Sequence, residues 1–328
     1  MALAASVVLL ALSGLGLGQP GAAALGLIGA VLAPFAAARR AGFSLRKFLF
    51  PDAASLLLVV DPETLAPIDK AVPQERLAFA RMALYPGADG GEWLVAPGET
   101  FIHRWHYREG RLNYSPEWAE RYRRHGEGTF SGTGPCAYDG QVYYTDNTFP
   151  VGLGKGYRLF RKPLEAGVPQ QCIQLSPDRP GYQVYCNGVA PQIRAVLVTD
   201  TGNGRVEARS LGDLALIWKA DVIHTDCVIT AAIHEQTHGG QVYVTDHSRN
   251  LEPAQMLKSM GRRPAWPDIE KFFVVLDAAT GTERLRVSLG KASPVASMII
   301  PGMNGDVFAA SRDALHRIHV AGSEPVPR

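Results

Sequence analysis

The chain has 328 residues, 46% of them apolar, with 34 Gly, 23 Pro and four Cys, and a formal net charge of +2. This length suits one large domain or two small ones, and the apolar share excludes a disordered chain. Lys and Arg (33) nearly cancel Asp and Glu (31), which leaves no global field for a polyanion and argues against nucleic acid as a partner.

Residues 1–50 read as a hydrophobic anchor or signal segment with a basic flank. Residues 2–18 and 21–38 carry no charge and are separated by the break Gln19-Pro20. Each run barely spans hydrocarbon, so three readings stand: a helical hairpin, a single hydrophobic anchor helix, or an export signal cut near Ala36-Ala37-Ala38. A buried helical pair of a soluble domain is the plain alternative. The positive charges follow the apolar run, at Arg39, Arg40, Arg46 and Lys47, which by the positive-inside rule would keep residues 51–328 cytoplasmic. Membrane attachment through residues 2–38 is the expectation.

From residue 54 onward short β-rich runs alternate with Gly, Pro, Asn and Asp turns. Three runs share V-h-x-T-D, where h is apolar: Gly140–Asp146, Ala195–Asp200 and Gly240–Asp246. Their threonines, Thr145, Thr199 and Thr245, stand 54 and then 46 residues apart. Weaker copies are Glu92–Pro97 and Asp306–Asp313. Each is followed by a second strand: Phe101–Trp105, Tyr157–Arg161, Arg205–Ala208, Phe272–Leu276 and Leu315–Ile318. A period near 50 residues predicts an all-β chain, a β-propeller of about six blades, between five and seven. Leu56–Thr64 repeats the pattern of Leu276–Gly281 without a first half, which predicts a blade closed by both termini. An irregular sandwich is the alternative. An insert at 251–271 interrupts the fifth blade, and Ser115–Gly126 reads as a short capped helix.

Cys172 and Cys186 flank the turn-rich segment 176–181. A hairpin centred there would set them opposite one another at disulfide distance, which would place the domain outside the cytoplasm. Cys136, Cys186 and Cys227 fall on first strands of successive blades, where small side chains suit a crowded axis and a thiolate metal cluster is the alternative.

The stretch Cys186-Asn-Gly-Val-Ala-Pro-Gln-Ile-Arg-Ala-Val-Leu-Val-Thr-Asp200, continuing to Val206, resembles the blade signature of the gluconolactonase (senescence marker protein) and strictosidine synthase-like propellers. Its tail from Val198 resembles an NHL repeat. The resemblance covers about 20 residues and implies the six-bladed superfamily more than one activity. It implies a divalent cation, calcium above all, held by Asn187 of the Asn187-Gly188 pair and by Asp226. Such an ion would polarise a lactone or ester carbonyl, with Asp226 or His224 in the acid–base role. The family's third-blade Asn is replaced here by the segment Gly134-Pro-Cys136, and Glu75 is a poorly placed match to its early Glu. The plain reading is that Asn187 and Asp226 cap strand ends. The resembling families include exported, anchored propellers, which favours an extracytoplasmic domain against the basic flank at 39–47.

The recurring Asp146, Asp200 and Asp246 read as turn residues, because a residue serving every blade is structural. His234-Glu-Gln-Thr-His238 matches the zinc motif H-E-x-x-H. The repeat register gives it a strand and a turn where chelation needs a helix, and Gln241 and Val244 break the longer metzincin form. Three functions follow in order: a metal-dependent lactone or ester hydrolase acting on a small molecule, a non-catalytic propeller binding a protein or polymer on one face, and a zinc metallopeptidase.

Overall fold

The computed structural model describes residues 55–75, 77, 82–122, 129–130, 135–148, 158–175, 184–200, 204–223, 240–248, 269–292, 299–301 and 306–319. The chain divides into two units, Met1–Ala54 and Ser55–Arg328. The first lies outside the described residues, and with it the expected hydrophobic helix or hairpin. Among the described residues no helix is long and apolar enough to cross a membrane.

The second unit is nearly all β. β1 (Leu57–Val60) and β2 (Pro67–Ala71) form a two-stranded sheet. β3 (Ala83–Pro86), β4 (Glu92–Pro97), β5 (Phe101–Arg108) and β6 (Arg111–Tyr114) pair in chain order, and β7 (Glu120–Arg121) returns to β5. After β8 (Thr129–Phe130) come β9 (Cys136–Tyr138) and β10 (Gln141–Thr145), then β11 (Asn147–Thr148), β12 (Arg158–Pro163) and β13 (Gln171–Gln174). Here β9, β10, β12 and β13 make one sheet, while β11 pairs with β8. β14 (Val184–Ala190), β15 (Ala195–Asp200), β16 (Arg205–Ser210) and β17 (Leu216–Asp221) make the next, with a single 3-10 turn, Pro191–Ile193, between the first two. β18 (Gln241–His247), β19 (Glu270–Asp277) and β20 (Glu283–Lys291) follow, then β21 (Ile299–Pro301), β22 (Asp306–Ala310) and β23 (Leu315–His319). Every pairing among the described residues is antiparallel.

The V-h-x-T-D runs are β10, β15 and β18, and they are buried on both faces. Alternate side chains of β15 serve opposite neighbours: Val196 and Val198 pack with Tyr143, Leu159 and Cys186, whereas Ala195 and Leu197 pack with Val242, Val244, Val274 and Leu276. The same division recurs at β10, whose Tyr143 faces the β14 side while Val142 and Tyr144 join Ala83, Val95 and Ile102 of the preceding sheet. Tyr243, Phe273 and Val275 then pack on Ile299, Val307 and Ala309. A strand covered on both faces reads as a near-continuous apolar run, and each fully buried Val or Leu contributes about 1.5–3 kcal/mol.

Four hydrogen bonds made by aromatic side chains tie sheets to their neighbours. Tyr85 Oη accepts from the Gly140 amide at 2.9 Å, Trp118 Nε1 donates to Pro163 O at 2.8 Å, Tyr143 Oη donates to Leu211 O at 3.1 Å, and Trp218 Nε1 donates to Ala278 O at 2.6 Å. The two D-x-x-T turns match as the sequence predicts. Asp61 Oδ1 accepts from the amides of Glu63 and Thr64, and Asp277 Oδ1 from those of Ala279 and Thr280.

Three expectations are corrected. Over the described part of Ser115–Gly126 the chain makes one turn, with Trp118 N on Ser115 O and Ala119 N on Pro116 O, and then enters β7. Burial of Trp118 and Tyr122 in the core pulls this segment extended despite its helix-like ends. Cys172 and Cys186 do not face each other across a hairpin, because Cys172 pairs with Phe160 in one sheet and Cys186 with Val198 in the next. The segment between them joins two sheets. Finally, β1 and β2 form a sheet of their own, unpaired with β23 in the described residues, so the blade shared by both termini does not form there.

Candidate functional site

Of the residues expected to hold a cation, Asn187 lies on β14 at an irregularity in its ladder. Cys186 pairs with Val198 and Gly188 with Leu197, so Asn187 is one extra residue, a β-bulge. Bulges bend a strand and re-aim side chains, and they are frequent beside binding sites. The side chain of Asn187, and all of His224 and Asp226, lie outside the described residues, as do His234–His238 and residues 251–268 of the insert. The chain leading toward His224 is anchored, with the Ile223 amide on Asp246 Oδ1 at 2.9 Å. Among the described residues no group of three or more His, Cys, Asp or Glu could hold a metal ion.

What the first strands do bring together is a pair of thiols. Cys136 Sγ on β9 and Cys186 Sγ on β14 are 3.1 Å apart. Cys186 is buried and Cys136 half-buried, and both pack into the core shared by the two sheets. Burial first, and the neighbouring Cys136 second, push the Cys186 thiol well above its usual range.

Asp146 and Asp246, two of the recurring aspartates, are committed to backbone amides and arginines. Asp146 accepts from the Arg158 amide at 2.6 Å and from Arg158 Nε at 2.7 Å. Asp246 accepts from the amides of Ile223 and His247 and from Arg286 Nη1, the last at 2.8 Å. Each carboxylate ties the end of its strand to nearby backbone and to an arginine, the structural role that recurrence implies.

Glu75, the weak match to a family ligand, has another occupation. Its Oε1 accepts from the amides of Thr100 (3.0 Å) and Phe101 (2.7 Å) and lies 2.9 Å from His103 Nε2. Nδ1 of the same ring is 2.9 Å from Tyr114 Oη. A carboxylate only accepts, so Nε2 carries the proton, and in the neutral ring Nδ1 accepts from the Tyr114 hydroxyl. Burial of Glu75 works against ionisation, but the bonds from His103, Phe101 and Thr100 outweigh it and hold the carboxyl below its ordinary value. With His103 only 2% exposed, this Glu–His–Tyr chain fixes the β4–β5 turn rather than presenting a reactive group. Neither it nor the thiol contact follows a spacing rule. Both arise where distant segments meet, although the repeat does put Cys136 and Cys186 on equivalent strands.

A shallow cleft of about 460 Å³ on the β5–β6 hairpin is lined by Asp89, His106, Arg108, Glu109, Arg111 and Asn113. Within it Asp89 lies 3.3 Å from His106 Nε2 and 3.2 Å from Arg108 Nη1, and Arg108 Nε lies 3.4 Å from Glu109.

No protein-family profile matches the chain, and no curated protein does. Solved structures do. The luciferin-regenerating enzyme is similar over 82% of this chain and 86% of its own, with 11% identity and a TM-score of 0.48. BamB from Moraxella catarrhalis is similar over 79% of this chain and 81% of its own, with 13% identity and a TM-score of 0.37. Quinohemoprotein alcohol dehydrogenase from Comamonas testosteroni is similar over 82% of this chain at 11% identity, with a TM-score of 0.52, and this chain spans 55% of that one. Identities this low speak of fold alone, and the dehydrogenase, at a TM-score above one half, carries the comparison. Successive antiparallel sheets stacked through shared cores, with this likeness, make the second unit a β-propeller.

Proposed function

We propose that this chain is a propeller held at a membrane by residues 2–38 whose work is binding. A protein or polymer is engaged on the end of the sheets where the connections 146–157 and 248–269 emerge. The observation that carries this reading is the make-up of the first strands, which line the axis of a propeller. Ala83 is buried on β3, and on β14 Cys186, Val189 and Ala190 are buried with Cys136 of β9 against them. Such residues pack; a hydrolytic cation needs converging oxygen atoms. The two connections named are long, and long connections on a rigid scaffold carry recognition.

A hydrolase of the gluconolactonase type is the second reading, favoured by the bulge at Asn187. It would place calcium on Asn187 and Asp226, with Asp226 or His224 moving the proton. The discriminating experiment is calcium titration of the purified chain beside Asn187→Ala and Asp226→Ala, together with turnover of lactones and aryl esters. The binding reading expects the same weak calcium response in all three chains and no turnover. It further expects photo-crosslinkers placed in 146–157 and 248–269 to capture one partner in native membranes that crosslinkers on β17 do not. Calcium affinity lost in both variants along with turnover would establish the hydrolase instead. Zinc retention indifferent to His234→Ala would exclude the peptidase. A reporter fused after Arg328 reads the side of the membrane.

A further inference from the structure

We propose that Cys136 and Cys186 are a redox site, a dithiol that closes to a disulfide joining the first strands of two consecutive sheets. The inference is independent of the binding reading. Three observations meet here. The sulfurs are 3.1 Å apart, on residues 50 positions apart in the chain. The ladders place Cys136 opposite Tyr143 on β10, and Cys186 packs with that same Tyr143 in the core between the sheets, so both side chains enter one interface. The third is exposure: Cys136 is half-buried and Cys186 buried, which gives the pair an outer and an inner member.

The surroundings of the pair decide between the two chemistries open to paired thiols. Two thiolates on one tetrahedral zinc, each about 2.3 Å from the metal, stand roughly 3.8 Å apart. A disulfide requires about 2.05 Å. A tetrahedral zinc also needs further ligands, and among the described residues no group of three or more His, Cys, Asp or Glu could hold a metal ion, whereas about 1 Å of approach makes the sulfur–sulfur bond. Cys172 is different: it lies exposed on the outer strand β13.

The reaction is thiol–disulfide exchange with an external disulfide, oxidised glutathione or the disulfide of an oxidoreductase. Cys136, the accessible member, attacks as the thiolate; one external sulfur leaves as a thiolate and a mixed disulfide forms. Cys186 then gives up its proton, its sulfur attacks the Cys136 sulfur, and the second external thiolate departs. Two protons and two electrons leave the protein, and the external disulfide becomes two thiols. Cys186 immediately precedes the bulged Asn187, so closure ties the irregular part of β14 to β9.

The test uses the full chain in detergent carrying Cys172→Ser, an exposed position whose replacement leaves the pair intact. After reduction and desalting, the protein is incubated with oxidised glutathione, alkylated with iodoacetamide and digested for mass spectrometry. The expected result is a peptide pair linked through Cys136 and Cys186, two hydrogens lighter than the thiol forms. It should be accompanied by a rise in Tm of roughly 5 °C that dithiothreitol reverses. The rise should survive Cys227→Ser and vanish in Cys136→Ser. Alkylation of both Cys136 and Cys186 after oxidation, or a link that runs to Cys227, would overturn the proposal.

Discussion

At Glu75, burial and hydrogen bonding act on one proton in opposite directions, and the bonds win. A carboxyl depressed below its ordinary value of 4.5 contributes stability that is fully present above that value and is lost as pH falls through the lower folded one. The difference in unfolding free energy between the parent chain and Glu75→Gln should therefore be constant from neutral pH down to about 5 and shrink below it. Denaturant titrations across that range check this, and a difference that grows on acidification would contradict it. The aspartates offer a second trial. Asp146→Ala removes the carboxylate from the Arg158 guanidinium, whose side chain is 12% exposed and retains, among the described residues, only Tyr122 O and the Phe160 ring, and should cost about 3 kcal/mol of stability while leaving divalent-ion binding unchanged. The structural role of Asp146 and Asp246 was legible from their recurrence. The part played by Glu75 was not, because its partners Thr100, Phe101 and His103 lie in another element, and nothing local marks the meeting.

Between neighbouring sheets, Trp218 of β17 packs closely against the β19–β20 turn. Gly281 there has φ +71°, and a Cβ on it would stand 2.5 Å from the indole. Gly281→Ala thus meets both a disfavoured backbone and an aromatic wall, and should lower stability by about 2 kcal/mol in equilibrium unfolding. Relief of that loss by a further Trp218→Phe change would identify the ring as the obstacle. The strands themselves were readable: the V-h-x-T-D copies and the runs after them are β4, β5, β10, β12, β15, β16, β18, β19, β22 and β23. Two local signals misled for one reason. Ser115–Gly126 and the Cys172–Cys186 segment both lie where the chain leaves one sheet for the next. At such a crossing, caps and turn residues look as they do at a helix end or a hairpin, and tertiary burial decides the outcome.

For the whole molecule, the division after Ala54 makes a prediction of its own. A chain beginning at Ser55 should melt cooperatively within a few degrees of the full chain and move from the membrane pellet to the supernatant. Circular dichroism and fractionation would show it, and loss of the cooperative transition would mean that residues 1–54 belong to the fold. The sequence carried the propeller because one pattern, buried on both faces, is copied along the chain. It carried the site less well, since Asn187 was proposed from a resemblance some 20 residues long, Asp226 as a match beyond that stretch, and His224 from its place beside Asp226. The bulge at Asn187 has a further meaning for how such a site is acquired. Deleting that residue would let Gly188 follow Cys186 directly, facing Leu197 and Val198 in an unbroken ladder. One codon therefore separates a plain strand from one that carries an extra residue, so the blade can gain or shed this position without any other strand changing register.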